Sequence, residues 1–163
     1  MTREKLRVGI IGAGRIAGTI HVPSFRLRPD LCEITTVASS TVERARAFAD
    51  RWRISGVHED WSTLLQDPEV DAVVICPPSD LTYSVARAAI AAGKHILCEK
   101  PLGLTYAQAH ELQVAAEQMP ITHMVAFSFR FGETHRTIRP FRMGRRRSGS
   151  LTPSIAPSKN DAG

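Results

Sequence analysis

The stretch "LRVGIIGAGRIA", residues 6–17, decides the fold. Its first half is a compact run of apolar, mostly branched residues that ends at a glycine, which is typical of a strand buried on both faces of a parallel sheet. Its second half matches G-x-G-x-x-G/A, in which Gly12 permits a tight turn, Gly14 lets backbone N–H groups approach a pyrophosphate, and Ala17 allows close helix packing. The stretch therefore predicts a central strand, a phosphate-binding loop and a helix, in that order.

The helix that follows the loop begins at Arg15 in this prediction. Its first turn would offer unpaired N–H donors and a partial positive charge to phosphates, so Gly12, Gly14, Arg15 and Ile16 are predicted to bind the cofactor. We expect the helix to end before Pro23, because a proline inside a helix removes a hydrogen bond and clashes with the preceding turn. The alternative is that the glycines serve only close packing of strand and helix.

Apolar, strand-like runs alternate with helical patterns along the rest of the chain. The segment 40–52 has apolar residues at spacings of three and four, and Ser40 with Glu43 forms an S-x-x-E capping box at its start. Gly93 is predicted to end another helix in the left-handed conformation. The sequence thus predicts an α/β fold, a doubly wound parallel (Rossmann) sheet, with further strands at 33–39, near Val57, and at 70–78, 94–100 and 121–131.

The alternation stops after about Arg142. We predict a dinucleotide-binding Rossmann domain over 1–131, a remnant of the start of a second domain over 132–142, and a disordered basic Ser/Pro/Arg tail over 143–163. The net charge of +5 comes from the tail, because residues 1–138 hold 15 Lys and Arg against 15 Asp and Glu. We therefore expect no nucleic-acid partner.

The cysteines and the apolar runs bear on the compartment. Cys32, Cys76 and Cys98 are odd in number and form no C-x-x-C pair, which favours reduced, mostly buried thiols and a reducing compartment. No uninterrupted apolar stretch reaches about 18 residues, so we expect no membrane span and a cytoplasmic location. No group of residues has metal-ligand spacing, and no metal is predicted.

The end of the second strand bears on which dinucleotide is bound. An acidic residue there would take the ribose 2'-hydroxyl of NAD, but Ser39, Ser40 and Thr41 occupy these positions. Small hydroxyls at a helix N-terminus can donate to the 2'-phosphate of NADP, and Arg44 lies one turn further on as a counter-charge. The pattern favours NADP, with NAD as the alternative, since Ser40 could serve only as a cap and Glu43 has the wrong sign.

Two further segments, "CPPSDL" and "CEKPLG", follow the fourth and fifth predicted strands. Ligands of open parallel sheets collect outside the carboxyl ends of the strands, so Pro77, Pro78 and Lys100 are predicted to face the cofactor. A cis Lys100–Pro101 bond would turn the ammonium group into the cleft. The alternative is a surface lysine paired with Glu99.

Taken together, these segments resemble the N-terminal half of the glucose-fructose oxidoreductase, inositol dehydrogenase and MocA family. E-K-P at this distance from G-x-G-x-x-A is a specific combination. The resemblance implies NAD(P)-dependent hydride transfer at a hydroxyl or carbonyl of a small sugar, polyol or diol. The matching segments are "VGIIGAGRIA" at 8–17, "VDAVVICPPSDL" at 70–81, "AGKHILCEKPLG" at 92–103 and "AFSFRF" at 126–131.

The resemblance also implies roles for single residues. Lys100 would bond the substrate hydroxyl and the nicotinamide ribose and assist proton transfer, as the catalytic residue. Pro78 would line the nicotinamide side, and Glu99 and Pro101 would lie at the cofactor. Thr82 departs from the family, because relatives commonly have a histidine there.

A second departure is length. The family continues with a second α/β domain that covers the cleft and supplies a catalytic histidine or partner acid/base, and we expect this chain to lack it. Five of the six histidines, including His21, are expected to be packed or solvated, and His135 is the one placed to reach the cleft. We therefore expect weak or no turnover by this chain alone. The alternatives are a non-catalytic dinucleotide-binding or interaction module, and a truncated product without function; the oligomeric state is left open.

Overall fold

Six strands form one parallel sheet in the computed structural model, which describes residues 5–128. The strands are β1 (Leu6–Ile11), β2 (Cys32–Ala38), β3 (Gly56–Val57), β4 (Ala72–Ile75), β5 (His95–Glu99) and β6 (His123–Ala126). Their order is β3-β2-β1-β4-β5-β6, and every neighbouring pair is parallel. The predicted doubly wound parallel sheet is therefore confirmed.

Some predictions concern residues that the structure does not describe. The segments 132–142 and 143–163 lie outside the described residues, as does His135. The domain boundary at residue 131 stays a prediction.

Strand β1 lies at the centre of the sheet because its side chains are apolar on both faces. Val8, Ile10 and Ile11 are all buried. The strand pairs with β2 on one side and with β4 on the other. The chain therefore winds outward through β2 and β3, returns to β4, and continues in the other direction, which makes the β1/β4 boundary the topological switch point of the sheet.

Helices cover both faces of this sheet. They are a π-helical turn (Ala17–His21) that continues as α1 (Val22–Arg26), then α2 (Val42–Trp52), α3 (Trp61–Gln66), α4 (Ser79–Ala91) and α5 (Tyr106–Glu117). Buried side chains of α1 and α2 pack in one apolar cluster, and those of α3, α4 and α5 pack in a second cluster. None of the helices within residues 5–128 has the length and apolar character needed to cross a membrane.

The first helix corrects the prediction that Pro23 ends it. The helix runs on through Pro23 to Arg26, after the π-helical turn. The Val22 N–H donates to the carbonyl of Ala17, five residues back, so the turn just before the proline is wider than an α-helical turn. A widened turn relieves the clash between the proline ring and the preceding carbonyl, which explains why the helix tolerates the residue.

The start of α2 corrects the predicted capping box. The N-cap is Thr41, whose backbone is extended and whose hydroxyl accepts a hydrogen bond from the Arg44 N–H at 3.3 Å. The helix begins one residue later than Ser40 would require, so Ser40 does not serve as the cap. At the end of α4, by contrast, Gly93 has φ +69°, and the predicted left-handed ending is confirmed.

Candidate functional site

A cavity of about 300 Å³ lies outside the carboxyl ends of β1, β2 and β4. This position coincides with the topological switch point, where open α/β sheets bind their ligands. The cavity brings together nine of the residues that the sequence singled out. They are Gly12, Gly14, Arg15, Ile16, Ser39, Ser40, Arg44, Pro77 and Pro78.

Gly12 lies at the floor of the cavity, where its backbone packs so closely against the backbone of Cys76 that no side chain would fit. Its φ of +105° is a conformation that residues with a Cβ rarely adopt. A Cβ on Gly12 would lie 2.4 Å from the carbonyl oxygen of Cys76. The Gly12 N–H donates to the carbonyl of Ala38 at 2.8 Å, so the loop after β1 is tied to β2 as well as to β4.

Gly14 differs from Gly12 in what surrounds it. A Cβ on Gly14 would meet no protein atom within 4 Å, so packing within the described chain does not require glycine at this position. The helix starts at the next residue, Arg15, and the N–H groups of a first helical turn have no partner inside the helix. The loop is thus a shallow cradle with backbone donors at its rim, and it fits a phosphate group.

The lining of the cavity is positively charged. Arg15 and Arg44 contribute guanidinium groups, and none of the described residues that line the cavity is Asp or Glu. Glu43, the carboxylate nearest in sequence, is not among them. Glu43 lies in the first turn of α2, where hydrogen bonds from its own backbone and from the Thr41 hydroxyl lower its pKa. The site therefore favours an anionic ligand.

Two serines form the part of the cavity next to α2. Ser39 is half-buried, and its hydroxyl accepts a hydrogen bond from the Ala13 N–H at 3.4 Å, which links the end of β2 to the glycine loop. Ser40 is exposed and lines the cavity. Because Thr41 caps α2, the hydroxyl of Ser40 does not serve as the helix cap.

The end of β4 supplies Cys76, Pro77 and Pro78. The Cys76 thiol donates to the carbonyl of Gly12 at 3.3 Å. Burial raises the pKa of Cys76 to about 12, with smaller contributions from the Glu99 carboxylate and from Cys98. The thiol therefore stays protonated at neutral pH and acts as a hydrogen-bond donor, not as a nucleophile. All three cysteines are free, as predicted.

Glu99 is the last residue of β5 and is followed by Lys100 and Pro101, and none of the three lines this cavity. One oxygen of the Glu99 carboxylate lies 2.9 Å from Nε2 of His21, and the other accepts a hydrogen bond from the Lys100 N–H at 3.2 Å. The Lys100–Pro101 bond is cis, and the Lys100 side chain is exposed. The alternative of a surface Lys100–Glu99 ion pair is therefore not what the structure shows, because the carboxylate meets the backbone of Lys100 and the ring of His21.

The sequence analysis missed six residues. Five of them line the cavity, namely Ile11, Ala13, Trp61, Cys76 and Leu81, and the sixth is the buried His21, which contacts Glu99. No sequence pattern marked Trp61 or Leu81 as part of the site, because these residues reach the cavity only when α3 and α4 pack on the sheet. Thr82, which the resemblance marked as a departure from the family, is buried and donates to the carbonyl of Pro78, at the start of α4, at 3.5 Å.

The fold and the loop define a dinucleotide-binding domain of the Rossmann class. Residues 6–127 match the family model described as the oxidoreductase family with an NAD-binding Rossmann fold, known as GFO_IDH_MocA. The chain belongs to this family, and the resemblance found in its sequence is confirmed.

Its relatives are longer oxidoreductases. The chain is 34% identical over 131 residues to D-glucoside 3-dehydrogenase of Escherichia coli and to the uncharacterized oxidoreductase YrbE of Bacillus subtilis, with 80% of the chain aligned in each case. These alignments cover 37% and 38% of the two relatives. The chain thus spans about two-fifths of the length of the relatives it matches.

Solved structures show the same similarity in three dimensions. The crystal structure of KijD10, a 3-ketoreductase from Actinomadura kijaniata in complex with NADP, superposes with a TM-score of 0.75 at 35% sequence identity. The match covers 82% of this chain and 42% of KijD10. A second oxidoreductase structure, from Thermotoga maritima, superposes with a TM-score of 0.74 at 31% identity, over 78% of this chain and 39% of that one.

Proposed function

We propose that this chain binds NADP(H), in preference to NAD(H), in the cavity at the β1/β4 boundary. The observation that carries the proposal is the pairing of a bare glycine cradle with a cavity lining that has two arginines and, among the described residues, no carboxylate. A 2'-phosphate adds negative charge to a dinucleotide that already carries a pyrophosphate, so such a lining favours NADP(H). The NADP in the KijD10 structure supports the same choice.

Each part of the cavity has a role in this proposal. The segment from Gly12 to Ile16 holds the pyrophosphate with backbone N–H groups, and Arg15 adds charge. Ser39, Ser40 and Arg44 hold the 2'-phosphate, because they lie together at the end of β2 and the start of α2. Pro77 and Pro78 line the nicotinamide side.

We propose further that the domain serves an oxidoreductase acting on a hydroxyl or carbonyl group of a sugar, polyol or diol. The D-glucoside 3-dehydrogenase activity of the E. coli relative supports a carbohydrate-like substrate. The bound dinucleotide supplies hydride chemistry. Lys100 is the catalytic residue in this proposal, since its ammonium group, at the carboxyl end of β5, can hold or release the proton at the substrate oxygen.

The Lys100 side chain also bears on activity. It is exposed to water, and an exposed ammonium group is stabilised by solvent and gives weaker electrostatic assistance than a buried one. We therefore propose that the chain binds the cofactor well and turns over substrate weakly or not at all by itself. The second candidate, favoured by this same exposure, is a non-catalytic dinucleotide-binding module.

Binding is tested by titrating NADPH fluorescence with the parent chain and with two variants at Gly14. We expect Gly14→Asp to weaken NADPH binding about thirtyfold, or about 2 kcal/mol, because it places a carboxylate beside the phosphates. Gly14→Asn, which has the same size and no charge, is the matched control and should weaken binding about threefold. The fold should survive both changes, since the space around Gly14 is free of protein atoms. Equal NADPH affinity of the parent chain and Gly14→Asp would overturn the proposed site.

Catalysis is tested separately with a panel of sugars, polyols and diols and NADP as oxidant, by following the absorbance of NADPH. Turnover that Lys100→Ala abolishes would support the catalytic role of this lysine. Tight NADPH binding with no turnover across the panel would favour the non-catalytic binding module.

A further inference from the structure

The buried pair of His21 and Glu99 joins two distant parts of the chain. His21 is the last residue of the π-helical turn that follows the glycine loop, and Glu99 is the last residue of β5. Nε2 of His21 lies 2.9 Å from Oε1 of Glu99. The His21 side chain is 4% exposed and the Glu99 side chain is 14% exposed, so water reaches the pair only slightly.

The Glu99 carboxylate makes a second bond with its other oxygen. Oε2 accepts a hydrogen bond from the Lys100 N–H at 3.2 Å. A continuous chain of hydrogen bonds therefore runs from the ring of His21, through the carboxylate of Glu99, to the main chain of Lys100. A carboxylate that is nearly buried is stable only when its oxygens are bonded, so these two contacts determine where the Glu99 side chain can lie.

The π-helical turn contributes to this arrangement. Each residue after such a turn is shifted around the helix axis relative to its place in a regular α-helix, and single π turns occur frequently at functional sites. In this chain the turn ends at His21, whose ring contacts Glu99 at the end of β5.

We propose that His21 is a positioning residue: through Glu99 it holds the main chain of Lys100, and with it the lysine, at the carboxyl edge of the sheet. The inference depends on the proposed function in one respect, namely that Lys100 contacts the nicotinamide end of the bound cofactor. His21 and Glu99 do not line the cavity themselves. Their effect reaches the ligand through the backbone of Lys100.

The first test needs no ligand and uses the amide resonance of Lys100 in nuclear magnetic resonance spectra. His21→Leu replaces the ring with an apolar side chain of moderate size and removes the hydrogen bond to Glu99. We expect the resonance of the Lys100 amide to shift and its hydrogen exchange to become about tenfold faster. His21→Gln can still donate to the carboxylate and should restore both values. The amide of Val74, in the buried strand β4, is the control for an intact fold. An unchanged Lys100 amide in a folded His21→Leu variant would overturn the proposal.

Glu99→Gln provides the same test if His21→Leu does not fold. It keeps the shape of the side chain and removes its charge, so we expect both the Lys100 amide and the ring resonances of His21 to shift. Unchanged ring resonances of His21 would show that the pair does not act as a unit, and this result would also overturn the proposal.

The second test links the pair to the ligand by comparing NADPH with 2'-phospho-ADP-ribose, which has the pyrophosphate and the 2'-phosphate but no nicotinamide. We expect His21→Leu to weaken NADPH about fivefold and to leave 2'-phospho-ADP-ribose unchanged, with His21→Gln restoring NADPH affinity. Equal weakening of both ligands would overturn the positioning role. If the parent chain binds neither ligand, the proposed function fails, while the amide test still decides the role of His21.

Discussion

The two ends of the proposed site, the glycine loop and the segment around Lys100, are built in different ways. At the glycine-loop end, consecutive residues shape the cavity with their backbone, and Gly12 leaves no room for a side chain. At the lysine end, a pair of side chains outside the cavity contacts the main chain of Lys100, and its members, His21 and Glu99, meet across 78 positions of sequence. The comparison shows that a backbone site has a local signature in the sequence, whereas a side-chain site depends on how the whole sheet is packed.

The largest expected effect separates the two glycines. Gly12→Ala should lower the free energy of unfolding by about 3 kcal/mol or more, because it combines a left-handed backbone with overlap onto the carbonyl of Cys76. Gly14→Ala should change it by less than about 1 kcal/mol, since nothing lies within 4 Å of the added Cβ. Urea unfolding followed by circular dichroism measures both values. Similar losses for the two variants would show that the loop geometry described above is wrong.

The next effect tests whether the two ends bind different parts of the ligand. Lys100→Met keeps most of the side-chain length and removes the charge, and we expect about tenfold weaker NADPH binding, or about 1.4 kcal/mol. Affinity for 2'-phospho-ADP-ribose should stay the same. Gly14→Asp, in contrast, should weaken both ligands. Calorimetric titration of both variants with both ligands measures these affinities. If Lys100→Met weakens the binding of both ligands, the two ends do not bind different parts of the ligand.

A smaller effect concerns the choice between NADPH and NADH at the glycine-loop end. Arg44→Gln should weaken NADPH about fivefold, or about 1 kcal/mol, and leave NADH unchanged, because only NADPH carries the 2'-phosphate. Arg46→Gln is the matched control, since Arg46 is exposed on the same helix but does not line the cavity. The ratio of the two dissociation constants is the measured quantity. If Arg44 and Arg46 variants have the same ratio, Arg44 does not select the cofactor.

The smallest effect lies away from both ends, at the ion pair between Arg7 and Asp71, where Nη2 and Oδ1 are 2.8 Å apart. The hydrogen bond from Arg7 lowers the pKa of Asp71 in the folded chain. This stabilisation is therefore present above the pKa of an unfolded aspartate, about 4, and is lost as the pH falls through the folded value.

We expect Asp71→Asn to be less stable than the parent near neutral pH and to approach it in acid, with NADPH affinity unchanged. Urea unfolding at several pH values checks this. A stability difference that does not shrink in acid would mean that the charge of Asp71 is not its cause.

The parts of the molecule that could be predicted are those with local causes. The strand and glycine loop at 6–17 and the left-handed Gly93 follow from single-residue backbone preferences, and they are confirmed. The failures have a different origin. Pro23 was expected to end a helix, but a π-helical turn accommodates it, and Thr41 replaced Ser40 as the cap because the chain enters α2 one residue later.

The site shows the same division. Most of the predicted cofactor-binding residues line one cavity, because they follow strands whose carboxyl ends share an edge of the sheet. The contact between His21 and Glu99 could not be predicted, since it depends on the rotation of one helix turn relative to β5. A histidine about two turns beyond the glycine loop, two residues before Pro23, is the signal that could have pointed to it.

The hydrogen bond from Cys76 to Gly12 has a consequence for redox chemistry. Peroxides and alkylating reagents attack the thiolate, and a thiol with a pKa of about 12 has almost none of it at neutral pH. We therefore expect the hydrogen bond that ties the glycine loop to the end of β4 to persist in the presence of peroxide.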